Sequence, residues 1–111
     1  MKQVSPAAPS KILFLLVFTI VLNPALTSQP SKPQATANGK RIFNQLCAVC
    51  HNTLSTTTKS GPGLQNYNRR QSRPNDATLR TIIQRGKGKM PAFTTLNKTQ
   101  VDDLVDYLKT L

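Results

Sequence analysis

No tryptophan and no glutamate occur in these 111 residues, and His51 is the only histidine. Four aspartates, at 76, 102, 103 and 106, carry all the side-chain acid. With no second histidine, and with every Asp outside the Gly/Pro-rich stretch 86–93, no acid–base pair suited to catalysis is visible. Long apolar runs are also scarce. The clearest, Ile12 to Leu22, has eleven residues broken only by Thr19, short of the roughly 20 that span a bilayer. Preceded by Lys2 and Lys11 and followed by Pro24 and small residues, it fits the apolar core of an export signal. Cleavage is expected near Thr27 or Ser28; Ala35-Thr36-Ala37 is a closer A-x-A match but lies far downstream. An uncleaved membrane anchor is the alternative. The expected organisation is a signal peptide at 1–27, a disordered polar lead at 28–37 (with Pro30 and Pro33) and one small domain at 38–111.

Scarcity continues inside that domain. Phe43, Tyr67, Phe93 and Tyr107 are its only aromatics, and two cysteines allow at most one disulfide across a very short loop. A core this thin often depends on a staple or a cofactor. Charge is abundant but one-sided. Downstream of residue 27, thirteen Lys and Arg against four Asp leave +9, with +7 concentrated in residues 52–96. Such a balance bears on partners and association rates, not on fold. Nucleic acid is disfavoured as a partner, because basic and aromatic residues are not interleaved and the chain carries an export signal.

What is present is a compact motif, Cys47-Ala48-Val49-Cys50-His51. This Cys-x-x-Cys-His pattern is that of covalent haem attachment. Two thiols three residues apart on a helix share a face, from which they reach the two vinyl groups on one porphyrin edge. His51 would then lie under the ring with its imidazole available to iron. A thioredoxin-type redox pair would need a βαβ setting, and no strand-like run flanks Cys47. A structural zinc site wants four ligands, and two Cys with one His fall short.

The spacing predicts a helix from Asn38, as N-cap, through the motif, with Ile42, Phe43, Leu46, Val49 and Cys50 on its apolar stripe. Gly39 on that stripe costs helix stability unless another helix crosses closely there. A Thr-rich loop follows. A second helix is predicted over 76–85, capped by Asn75 or Ser72 and stopped at Gly86. Two glycines and a proline exclude a regular element in Gly86-Lys87-Gly88-Lys89-Met90-Pro91-Ala92-Phe93, which puts Met90 on an extended strap. The last helix carries a capping box, Asn97-x-x-Gln100, and a stripe of Val101, Leu104, Val105, Leu108 and Leu111. Met90 is the one methionine outside the initiator; it is either a gap-filler in the core or the second axial ligand of a haem iron.

Taken in order, Gly39-x-x-x-Phe43, Cys47-x-x-Cys50-His51, Gly61-Pro62-x-Leu64, Gly88-x-Met90-Pro91-Ala92-Phe93 and Leu104-Val105-x-Tyr107-Leu108 resemble the class I c-type cytochromes, over Asn38 to Leu111. That resemblance implies a small all-α cytochrome c fold, three to five short helices around one covalently bound haem c. It implies thioethers at Cys47 and Cys50, His51 and Met90 as axial ligands, and the Pro62 carbonyl as acceptor for the His51 Nδ1 proton. Gly39 and Phe43 would pack against Tyr107 where the terminal helices cross, and Tyr67, Arg69 or Arg70 would stand near a propionate where some relatives use Trp. The implied function is one-electron transfer between redox proteins through an exposed haem edge, without enzymatic activity. The site would lie in the periplasm or, second, in a thylakoid lumen. The expected form is a monomer, with membrane contact only if the N-terminal segment is retained. Lys59, Arg69, Arg70, Arg73, Arg85, Lys87 and Lys89 would form a basic rim for acidic partners. The alternatives are a haem subunit of a periplasmic dehydrogenase or oxidase complex, and a haem sensor or catalyst whose Met90 leaves the iron.

Overall fold

The computed structural model of the chain describes residues 28–111, so the expected signal segment lies outside the described residues. Three α-helices, α1 (Lys32–Leu46), α2 (Asp76–Arg85) and α3 (Lys98–Leu108), and one short 3-10 turn (Tyr67–Arg69) make up its regular structure. No strand occurs among the described residues, which matches the expected all-α class.

Helix α1 begins at Lys32, not at Asn38, so residues 32–37 are helix instead of disordered lead. Pro33 is the reason the polar stretch misleads. In a first turn a proline lacks only an N–H that has no intrahelical partner, and its fixed φ suits the helix. The buried stripe of this part is built of small residues, Ala35 and Gly39, which carry little hydropathy signal ahead of Ile42 and Phe43. Asn38 is therefore mid-helix. Its Nδ2 donates to Asp103 Oδ2 on α3 at 3.2 Å.

At its other end, α1 stops at Leu46 with Cys47 as C-cap, so the Cys-x-x-Cys-His motif leaves the helix instead of continuing it. The N–H groups of Cys47 and Ala48 both donate to Phe43 O, at 2.8 and 2.9 Å. One further turn is closed by Cys50 N and His51 N, which donate to Cys47 O at 3.0 and 2.9 Å.

Helices α2 and α3 begin where their caps place them. Asn75 accepts from Thr78 N at 2.8 Å, and Asn97 with Gln100 forms the complete reciprocal box. Gly86, at φ 77, ends α2. Helix α3 is the centre of the core: Val101, Leu104 and Val105 are fully buried, each side chain contributing ~1.5–3 kcal/mol on burial. Helices α1 and α2 both pack on it. At the α1–α3 crossing a Cβ on Gly39 would stand 2.6 Å from Asp103 C and 2.8 Å from Tyr107 Cβ, so glycine is required by the approach. One turn further on, the Phe43 and Tyr107 rings meet with centroids 5.5 Å apart at 58°.

Candidate functional site

Four segments contribute to the core cluster that contains Cys47: the end of α1, the loop 61–64, the 3-10 turn and the strap after α2. Cys47 is buried in one core cluster with Leu64, Tyr67, Leu79 and Ile83, and Ala48, Met90 and Phe93 pack against that cluster. Burial, and secondarily the neighbouring Cys50, pushes the Cys47 thiol up to about 11. At neutral pH it stays protonated, which disfavours the thiolate chemistry of a redox dithiol. Among the described residues no group of three or more His, Cys, Asp or Glu is placed to hold a metal ion, as a zinc site would need.

His51 is oriented from one side. Its Nδ1 lies 2.8 Å from Pro62 O, and a carbonyl can only accept, so Nδ1 carries the proton and Nε2 keeps its lone pair. The loop that presents this carbonyl is tied on either side of His51: Gly61 N donates to Cys50 O at 2.9 Å and Leu64 N to Asn52 O at 2.6 Å.

Met90 belongs to a strap fixed against α2. Lys87 and Met90 exchange two backbone hydrogen bonds, at 3.1 and 3.0 Å, around Gly88 and Lys89. Gly88 takes φ 58 at the first central position, as a tight II′-type reversal requires. Beyond it, Phe93 N donates to Ile83 O at 3.0 Å. Gly86 has Met90 O 2.5 Å from where its Cβ would be, so the strap folds directly over the helix end.

Tyr67 went unremarked as a core residue in the sequence, yet it is buried and its hydroxyl has no hydrogen-bond partner among the described residues. Burial pushes this hydroxyl up, against the pull of Arg73 and Arg70. The clue was positional: Asn66, in the left-handed region at φ 56, turns the chain so that a 3-10 turn starts on the tyrosine. The basic rim is only partly as expected. Lys59, Arg69, Arg85, Lys87 and Lys89 are exposed. Arg73 is held by Asp76 at 3.2 Å, and Arg70 Nη2 donates to Gln65 O at 2.5 Å.

These residues fit a haem: an imidazole with Nε2 free, two cysteines one turn apart, a thioether packed against the core cluster, and an unpartnered donor suited to a carboxylate. The fold and this site together define a class I c-type cytochrome. The chain belongs to the family described as cytochrome C oxidase, cbb3-type, subunit III, whose model matches residues 34–108. It is 26% identical over 100 residues to the cytochrome c6-like protein of Nostoc sp. (strain PCC 7120), covering 88% of this chain and 90% of that one. It is 28% identical over 106 residues to the cytochrome c-553-like protein of Synechocystis sp. (strain PCC 6803), covering 90% and 97%. Against the Cbb3-type cytochrome c oxidase subunit FixP of Rhizobium etli it is 33% identical over 89 residues, which is 78% of this chain but 31% of that protein. No solved structure matches. As a class I c-type cytochrome the chain carries one covalently bound haem c and serves one-electron transfer.

Proposed function

We propose that the protein is an exported, monomeric electron carrier in which Cys47 and Cys50 hold the haem by thioethers and His51 and Met90 are its axial ligands. The observation that carries this reading is the hydrogen bond from His51 Nδ1 to Pro62 O, which leaves Nε2 as the free ring nitrogen of the residue that follows Cys50. The haem supplies an iron that alternates between ferrous and ferric. Pro62 orients the imidazole through the hydrogen bond from Nδ1. Met90, on a strap tied at both ends, would hold the iron through its thioether and keep small ligands out. Enzymatic activity is not part of the proposal, since no acid–base group accompanies the strap.

Redox proteins with acidic docking surfaces are the proposed partners, approached through Lys59, Arg69, Arg85, Lys87 and Lys89. The apolar segment 12–22 supports export, to a periplasm first and a thylakoid lumen second. Two measurements test the reading. The intact protein should carry the mass of one haem, lost in the double variant Cys47→Ser/Cys50→Ser. The reduced protein should fail to bind carbon monoxide; rapid binding would sink the Met90 assignment.

A second reading rests on the likeness to FixP, a much longer oxidase subunit. Here the chain would be the haem subunit of a periplasmic dehydrogenase or oxidase complex. Co-purification at fixed stoichiometry with a dehydrogenase or oxidase would favour it; a monomer at all concentrations would favour the free carrier.

A further inference from the structure

The loop bearing Pro62 approaches the imidazole of His51 more closely than one hydrogen bond requires. A Cβ on Gly61 would stand 2.6 Å from Cε1, 2.9 Å from Nδ1 and 3.0 Å from Nε2 of that ring. Gly61 does not have a positive φ, so its backbone conformation is open to any residue. Conformational freedom therefore does not explain a glycine here, and the ring does. Moving the loop away is blocked, because Gly61 N is bonded to Cys50 O at 2.9 Å, next to the histidine itself.

We propose that Gly61 is a positioning residue for the proximal imidazole: its bare Cα is a wall on the ring, and the Pro62 carbonyl is the peg. The inference rests on the reading of His51 as an iron ligand. A hydrogen bond alone fixes the ring poorly, because the torsion between Cβ and an imidazole is broad. Wall and peg together leave one orientation for Nε2. A methyl at 61 turns the ring or lifts the loop, and either weakens the bond from Nδ1 to Pro62 O. With that bond weakened, the imidazole would donate less to a bound ferric iron, so the reduction potential would rise.

Gly39 supplies the control. It is as crowded, with Asp103 C 2.6 Å and Tyr107 Cβ 2.8 Å from where its Cβ would be, but it lies at the α1–α3 crossing and none of its closest neighbours belongs to His51. The test uses the full holoprotein labelled with nitrogen-15 histidine, where His51 gives the only ring signals. Gly61→Ala should raise the reduction potential and speed exchange of the Nδ1 proton by tenfold or more. Gly39→Ala should lower the denaturant midpoint and leave both readouts at wild-type values. The proposal is overturned if Gly61→Ala leaves both unchanged, or if Gly39→Ala moves them equally. Should Gly61→Ala fail to take up haem, the wild-type ring decides: a slowly exchanging Nδ1 proton supports the wall and peg, and exchange as fast as in free imidazole refutes them. Ring signals without a hyperfine shift in the ferric protein would refute the ligand assignment and this inference with it. Shifted signals with a freely exchanging proton would refute this inference alone.

Discussion

Glycine at position 39 looks unfavourable on helix propensity, since alanine is better by about 1 kcal/mol in a helix interior. The crossing reverses that preference. A methyl there meets the Asp103 backbone and the Tyr107 Cβ, and a backbone cannot swing aside as a side-chain tip can. Overpacking of this kind costs ~1–3 kcal/mol, more than the propensity gain. Gly39→Ala should therefore lower the denaturant midpoint while the reduction potential stays put; a midpoint at or above wild type would show that the crossing has slack. Part of this was legible: Gly39 on the apolar stripe already demanded a close neighbour. The partner of Asn38 was not, because a contact to Asp103, 65 positions away, leaves no trace in local pattern. Gly61 was legible only as one letter of Gly-Pro-x-Leu, since crowding against a ring is invisible without the ring's position.

Helices α2 and α3 were readable because their ends are written in side chains that satisfy orphan N–H groups. Asn97→Ala removes the acceptor for Gln100 N at 2.9 Å and half of the capping box. It should cost about 1 kcal/mol, read as a lower thermal midpoint, with a larger loss on adding Gln100→Ala. An unchanged midpoint would mean that packing of Val101, Leu104 and Val105 alone sets where α3 starts. Helix α1 was half readable. Its apolar residues Ile42 and Phe43 announced it, but neither end did. Ser31 makes no side-chain cap, and Cys47 ends the helix by backbone bonds shared on Phe43 O. That early stop matters for the site, because it lets the motif make its own tight turn and hand His51 to the Pro62 loop.

Across the whole molecule, the four acids are all engaged. Asp76 accepts from Lys109 and Arg73, Asp102 from Lys98 and Arg80, Asp106 lies 3.7 Å from Lys109, and Asp103 is buried with Asn38. Most of the remaining positive charge has no acid to meet within the described residues. Electron exchange with an acidic redox protein should accordingly slow as ionic strength rises, and a flat dependence would contradict steering. The same pairs set the acid limb of stability. Lys109 and then Arg73 hold the Asp76 carboxyl below the usual carboxylate range, as Lys98 and Arg80 do for Asp102. A folded value below the unfolded one, near about 3.9, means that this stabilisation is complete above it. It is lost as pH falls through the folded value. The urea midpoint should drop on acidification, less steeply in Asp102→Asn; identical slopes would remove Asp102 from the account.

The measurement closest to the centre is the absorption spectrum of the ferric protein beside that of Met90→Ala. Ligation by His51 and Met90 predicts the weak near-infrared band of methionine bound to iron(III) in the native protein and its loss in the variant. A native protein without that band, or a variant that keeps it, would contradict the claim that Met90 completes the site.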